Sequence, residues 1–127
     1  MITRDYLMEE AERLTKLIAA VVFQKQLEEE QSGVAYSIPQ DAMLLGDLRR
    51  MTHAGNINEA ENLLFERLLV DPTSQNFSVA EIFYRELSQL TDEELNHSAF
   101  SRQEIMEGLQ SIERIATSSR ENSKPVE

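Results

Sequence analysis

Apolar residues recur along this chain in steps of three and four, and the steps break at Gly, Pro and short polar runs. The longest series is Leu7, Ala11, Leu14, Ile18 and Val21, a spacing that puts them on one stripe of a helix predicted over residues 3–31. Tyr6, Leu17, Ala20, Val22 and Phe23 widen that surface well beyond a narrow seam. A helix so broadly apolar is expected to pack on more than one side, against the rest of its domain or against a second copy. Glu28-Glu29-Glu30 is expected to be a solvated end, because three adjacent side chains on a helix diverge and cannot converge on a cation. Ser32-Gly33 then stops the element.

A second helix is predicted from about Pro39 to Ala54, with Ser37 as its cap, Gln40 three residues on, and Met43, Leu44, Leu48 and Met51 as its apolar face. A third is predicted from Ile57 to Val70, with Ala60, Leu63, Leu64, Leu68 and Leu69 apolar. Gly55 closes the second helix, Asn56 can cap the third, and Pro72 cannot continue it. The loop is so short that the two helices must be antiparallel neighbours.

In the second half, Ser78, Thr91 and Ser101 are each followed three residues later by a glutamate, Glu81, Glu94 and Glu104. That is the capping-box spacing, and it predicts helices over about 79–90, 92–97 and 102–117. Ile82, Phe83, Leu87 and Leu90 are the expected core of the first, and Ile105, Leu109, Ile112, Ile115 and Ala116 that of the last. No strand pattern rises above noise. The expected fold is all-α: a single domain over 1–117, a helical bundle of five or six helices, with 118–127 a polar, disordered C-terminal tail.

Gly55, Ala60, Asp71 and Pro72 resemble the closing positions of a tetratricopeptide repeat, in which a Gly ends the first helix, a small residue follows, and a Pro ends the second. The resemblance implies one tetratricopeptide-repeat-like antiparallel hairpin. Leu48 and Arg67 stand where that family has small residues, and no second copy recurs at about 34 residues, so a repeat array is not expected. Thr3-Arg4-Asp5-Tyr6-Leu7-Met8, with Leu14-Thr15-Lys16-Leu17-Ile18-Ala19 and Phe23-Gln24-Lys25, also resembles the opening of an uncharacterised bacterial family found in Firmicutes. There a long first helix precedes a repeat-like hairpin. The two resemblances cover about residues 3–25 and 44–72.

Composition narrows the function classes. The chain has 127 residues, enough for one compact core. A formal net charge of −11 disfavours nucleic acid, and no basic face is visible. The absence of cysteine excludes disulfides, thiol catalysis and thiolate metal sites. The longest apolar run, Leu17 to Phe23, is far short of the roughly 20 residues a membrane span needs. With no secretory-leader pattern at the N-terminus, a cytoplasmic location is expected.

Candidate chemistry is sparse. Glu94 and His97 form a Glu-x-x-His pair of the kind used by carboxylate di-metal bundles. The other histidine, His53, has Arg50 where the matching glutamate would stand. Arg49, Arg50 and His53 make a small basic cluster that could receive an acidic segment or simply pair with the chain's own carboxylates near a helix C-terminus. If Phe83 is core, its neighbour Tyr84 becomes a candidate partner contact. The expectation is therefore a non-catalytic helical protein-interaction module, with no cofactor. Its expected partner-binding residues are Arg49, Arg50, His53 and Tyr84. Homodimer formation through Leu7, Leu14, Ile18 and Val21 is the expected mode of self-association. The alternatives are a metal-dependent enzyme or metal binder using Glu94 and His97, or a small-molecule sensor.

Overall fold

The computed structural model describes the backbone of residues 3–32 and 38–122 and the side chains of 3–29 and 43–118. These contain six helices and no strand: α1 (Arg4–Ser32), α2 (Ile38–His53), α3 (Ile57–Val70), α4 (Ser74–Ser88), α5 (Asp92–His97) and α6 (Arg102–Asn122). The all-α expectation holds. The proposed Ser37 cap lies outside the described residues. At the other end α6 continues to Asn122, past the expected stop at 117, because no Gly or Pro interrupts that stretch. Residues 123–127 lie outside the described residues.

The core runs the length of α4, which packs against α1, α2, α3 and α6. Packed against four elements, α4 buries both aromatic neighbours: Phe83 is 3% and Tyr84 0% exposed, with their rings edge-to-face at 5.1 Å between centroids. Tyr84 is therefore not a surface contact, contrary to expectation. Its hydroxyl donates a 2.6 Å hydrogen bond to Glu61 of α3. Burial, and then the nearby Glu61 charge, holds the phenol protonated. Burial likewise raises the Glu61 carboxyl; the Tyr84 hydrogen bond opposes that shift, and Glu104 and Glu107 add to it. Gly108 of α6 makes the arrangement possible, since a Cβ there would stand 2.3 Å from the Tyr84 Oη.

The α1 stripe is also claimed inside the chain. Ala11, Leu14, Ile18 and Val22 are buried, and Leu7 and Val21 pack partly against the same core, because α1 lies on α4 and α6. Leu14 and Ile18 are thus core residues and are not available for self-association. Among the described residues the expected packing on a second side is not seen, and Tyr6, Leu17 and Phe23 remain exposed. Met43, expected on the apolar face of α2, and Leu69, counted among the apolar positions of α3, are 68% and 70% exposed.

The caps explain where elements begin. α4 starts at Ser74, not near Ser78, with Thr73 as cap: Asn76 N donates to Thr73 Oγ1 at 3.2 Å, and the Asn76 amide donates to Asp71 O at 2.8 Å. Glu29, expected to be solvated, instead reaches across from α1 to accept the Ser74 N–H at 3.0 Å and the Ser74 hydroxyl proton. A carboxylate at a helix N-terminus is favourably placed. Beside it, buried Lys25 sits with its ammonium 5.6 Å from the Phe77 ring centre. Thr91–Glu94 forms the expected reciprocal box, with Glu94 N donating to Thr91 Oγ1 at 3.1 Å and Thr91 N donating to Glu94 Oε1 at 2.9 Å. Ser101 and Glu104 do the same at the start of α6.

Two turns set the geometry of the α2–α3 and α5–α6 corners. After α2, Gly55 N donates to Thr52 O and Asn56 N to Met51 O, with Gly55 at φ +83°. After α5, Ala99 N donates to Asn96 O and Phe100 N to Leu95 O, with Ala99 at φ +53°. Both are Schellman closures. The first uses the glycine the left-handed region favours and the second does not. Asn56 occupies the α3 cap position, but its side chain makes no capping bond.

Candidate functional site

Of the side chains singled out in the sequence, the structure brings Arg49, His53, Glu94 and His97 to one cavity, while Arg50 and Tyr84 do not line it. The C-terminal end of α2 (Arg49, Thr52, His53) faces the C-terminal half of α4 and the α5 segment bearing Glu94 and His97. Together they line a cavity of about 380 Å³ with Phe83, Leu87 and Leu90 among its walls. The α2 closure at Gly55 and Ser98 at the end of α5 complete it. This convergence comes from the hairpin: the short 54–56 turn brings the end of α2 to the level at which α5 leaves α4.

Chemically this cavity is restrained. Arg49 binds Glu86 of α4 with both ends of its fork, Nε to Oε1 at 3.1 Å and Nη2 to Oε2 at 2.5 Å, and that hydrogen bond raises the guanidinium pKa further. Arg50 pairs with Asp47 one turn back. The two arginines of the basic cluster are therefore already matched by the chain's own carboxylates. Glu94 is engaged in capping α5, and the two Thr91 hydrogen bonds lower its pKa. Among the described residues no group of three or more His, Cys, Asp or Glu side chains is placed to hold a metal ion.

A larger cavity, about 550 Å³, opens on the other side of α4. Its α1 wall comprises Leu7, Met8, Glu9, Ala11, Glu12, Thr15 and Lys16. α4 contributes Glu81, Arg85, Ser88 and Gln89, and α6 adds Arg102 and Ile105. Arg102 is a structural member: its Nε donates to Asp92 at 2.6 Å, and its Nη atoms donate to Ser88 O at 3.2 Å and Leu90 O at 2.7 Å. It thereby caps the carbonyl end of α4. Lys16 pairs with Glu12 at 3.4 Å and Arg85 with Glu81 at 3.9 Å.

At 3.6 residues per turn, the two cavities use opposite flanks of the same turns of α4. Glu81, Arg85 and Ser88 border one; Phe83, Leu87 and Leu90 border the other. Between them on the helix lies Ile82, with Glu86 at the edge of the smaller cavity and Gln89 at the edge of the larger. Sequence reading missed the first cavity. Its one legible trace was the i, i+4 pair Glu81–Arg85, an ordinary helix-surface motif, while the hollow itself depends on how α1 crosses α4.

Residues 1–117 match the model of a family of unknown function, DUF6483, and the chain belongs to that family. No curated protein and no solved structure matches it. No helix among the described residues is long and apolar enough to cross a membrane.

Proposed function

We propose that this protein is a non-catalytic helical interaction module that receives a helical segment of a protein partner across the outward face of α4. The carrying observation is the pair of cavities on either side of the same turns of one helix, one of about 550 Å³ and one of about 380 Å³. Helix-in-groove recognition needs hollows that take apolar side chains and a polar surround that orients them. The walls here supply Met8, Ala11 and Ile105 on one side and Phe83, Leu87 and Leu90 on the other. The tetratricopeptide-like reading of α2–α3 agrees with this surface, since the end of α2, the first helix of the hairpin, forms one wall.

The test is affinity capture from the source cells with wild type beside Met8→Glu and His53→Glu, both at exposed positions on opposite cavities. A stoichiometric protein lost from both variants, with helix content unchanged by circular dichroism, supports the module. A partner retained by both places the contact elsewhere. A second reading rests on the volume of the larger cavity, which falls in the range of small-molecule sites. A thermal-shift screen tests it, because a ligand at 100 times its dissociation constant adds about 2.7 kcal/mol of stability.

A further inference from the structure

Resting on the small-molecule reading of the larger cavity, we infer that its ligand is an uncharged amphiphile, a body of alkyl or aryl carbon with a single hydroxyl or amide end. The body follows from the floor. Ala11 and Ile105 are 7% and 2% exposed, and Leu7 packs partly against the same core. All three line the cavity and contribute side chains of carbon alone. Such a floor returns no hydrogen bond for the water it displaces, so a charge or a polar end set against it is costly, while carbon is favoured. The volume, about 550 Å³, is that of a small-molecule site.

The lack of charge follows from how the polar lining is spent. Three carboxylates and three cations border the cavity, and their formal charges cancel. The cations are all engaged: Lys16 with Glu12 at 3.4 Å, Arg85 with Glu81 at 3.9 Å, and Arg102 with Asp92 and two α4 carbonyls. The hydroxyls turn back on their own helices, Thr15 donating to Ala11 O at 2.7 Å and Ser88 to Tyr84 O at 2.9 Å. An anion would have to displace a carboxylate from a cation it already neutralises, in a chain of formal −11. A cation would find, among the described residues, Glu9 as the lining carboxylate without a counter-ion. Glu9 is exposed, and ion pairs at exposed positions are worth little. What the rim does leave open suits a neutral end: the Gln89 amide and the Glu9 carboxylate, both exposed, can donate to and accept from a hydroxyl or an amide.

The test uses the intact protein and two fluorescent probes that share an anilinonaphthalene skeleton and brighten in apolar sites. N-phenyl-1-naphthylamine is uncharged; 8-anilinonaphthalene-1-sulfonate is an anion. The uncharged probe is expected to bind saturably, about tenfold or more tighter than the sulfonate. Below their micellar concentrations, 1-decanol should displace it ahead of decanoate and decylammonium. Ala11→Leu, which fills the floor, and Met8→Asp, at an exposed position on the lining, should each weaken it by about tenfold; the second keeps the site testable if the first does not fold. Equal or tighter binding of the sulfonate, or displacement by decanoate or decylammonium ahead of decanol, with the loss in the variants preserved, would overturn the uncharged class and leave the small-molecule reading standing. Saturable binding of neither probe, or binding unchanged in the folded variants, would overturn the cavity as a small-molecule site.

Discussion

Replacing Gly108 with alanine adds one methyl group to a helix face that Tyr84 already fills. The new Cβ would stand 2.3 Å from the Tyr84 Oη, 2.6 Å from Cζ and 2.7 Å from Cε1, where comfortable carbon contacts lie at about 3.5–4.0 Å. The ring would have to move by about 1 Å, and it has nowhere to go: Tyr84 is 0% exposed. The move also pulls its hydroxyl off Glu61, now 2.6 Å away. Overpacking costs about 1–3 kcal/mol and a lost hydrogen bond to a charged acceptor about 1.5–3 kcal/mol. Alanine returns about 1 kcal/mol of helix propensity. The expected net loss is about 1.5–5 kcal/mol. With a urea slope of about 2 kcal/mol per molar, that lowers the denaturation midpoint by about 0.8–2.5 M. Tyr84→Phe in the Gly108→Ala background should cost less than the two single losses summed, since the nearest clash is with the hydroxyl. An unchanged or raised midpoint in Gly108→Ala would mean that helix propensity dominates and that α4 and α6 do not approach this closely.

Four further outcomes are expected. Because the folded pKa of Glu61 is raised above 4.5, its stabilising contribution is present below the unfolded value and is lost as pH rises through the folded one. Glu61→Gln should therefore be more stable than wild type at pH 7, with the difference closing toward pH 4; urea titrations across that window check it, and a gap that widens on acidification refutes it. Ala99→Gly should gain about 0.5–1 kcal/mol by thermal denaturation, since a left-handed L-residue costs about 1–2 kcal/mol, partly offset by glycine's chain entropy. Ile18→Ala should cost about 2–5 kcal/mol as a fully buried core truncation, an effect independent of protein concentration because its contacts are within one chain. Arg49→Ala should leave the urea midpoint essentially unchanged, since its pair with Glu86 is solvent-exposed on both sides; a clear drop in the midpoint would show a structural role beyond the surface pair.

The elements legible in the sequence were those whose signal is local. The α3 limits, Ile57 and Val70, follow from Gly55 and Pro72; α5 follows from the Thr91–Glu94 box, whose reciprocal bonds need only four residues. The start of α4 was misread because Ser78 and Glu81 satisfy the same local rule. The real cap, Thr73, draws support from Asn76 close in sequence and from Glu29 on α1, 45 residues before Ser74. The α1 stripe was found, but not its use. Periodicity shows that Leu14 and Ile18 need a partner surface and is silent on whether α4 and α6 or another copy provides it. Phe83 and Tyr84 could not both be assigned to the core, because a helix with one neighbour buries a single stripe, whereas contacts with four helices widen the buried face of α4.

The sequence by itself determined an all-helical chain, the Thr91 and Ser101 caps, the Gly55 turn, much of the separation of apolar from polar positions, and the classes of chemistry that the lack of cysteine and the charge of −11 exclude. These depend on neighbours three or four residues apart and on composition. Only the tertiary structure decided which faces are spent inside the fold. It paired Arg49 with Glu86, sank Tyr84 between Glu61 and Gly108, and opened a cavity on each flank of α4. A cavity has no local signature: it is the space left where helices distant in sequence cross, and its shape follows from the crossing and from the volumes of side chains that meet only there.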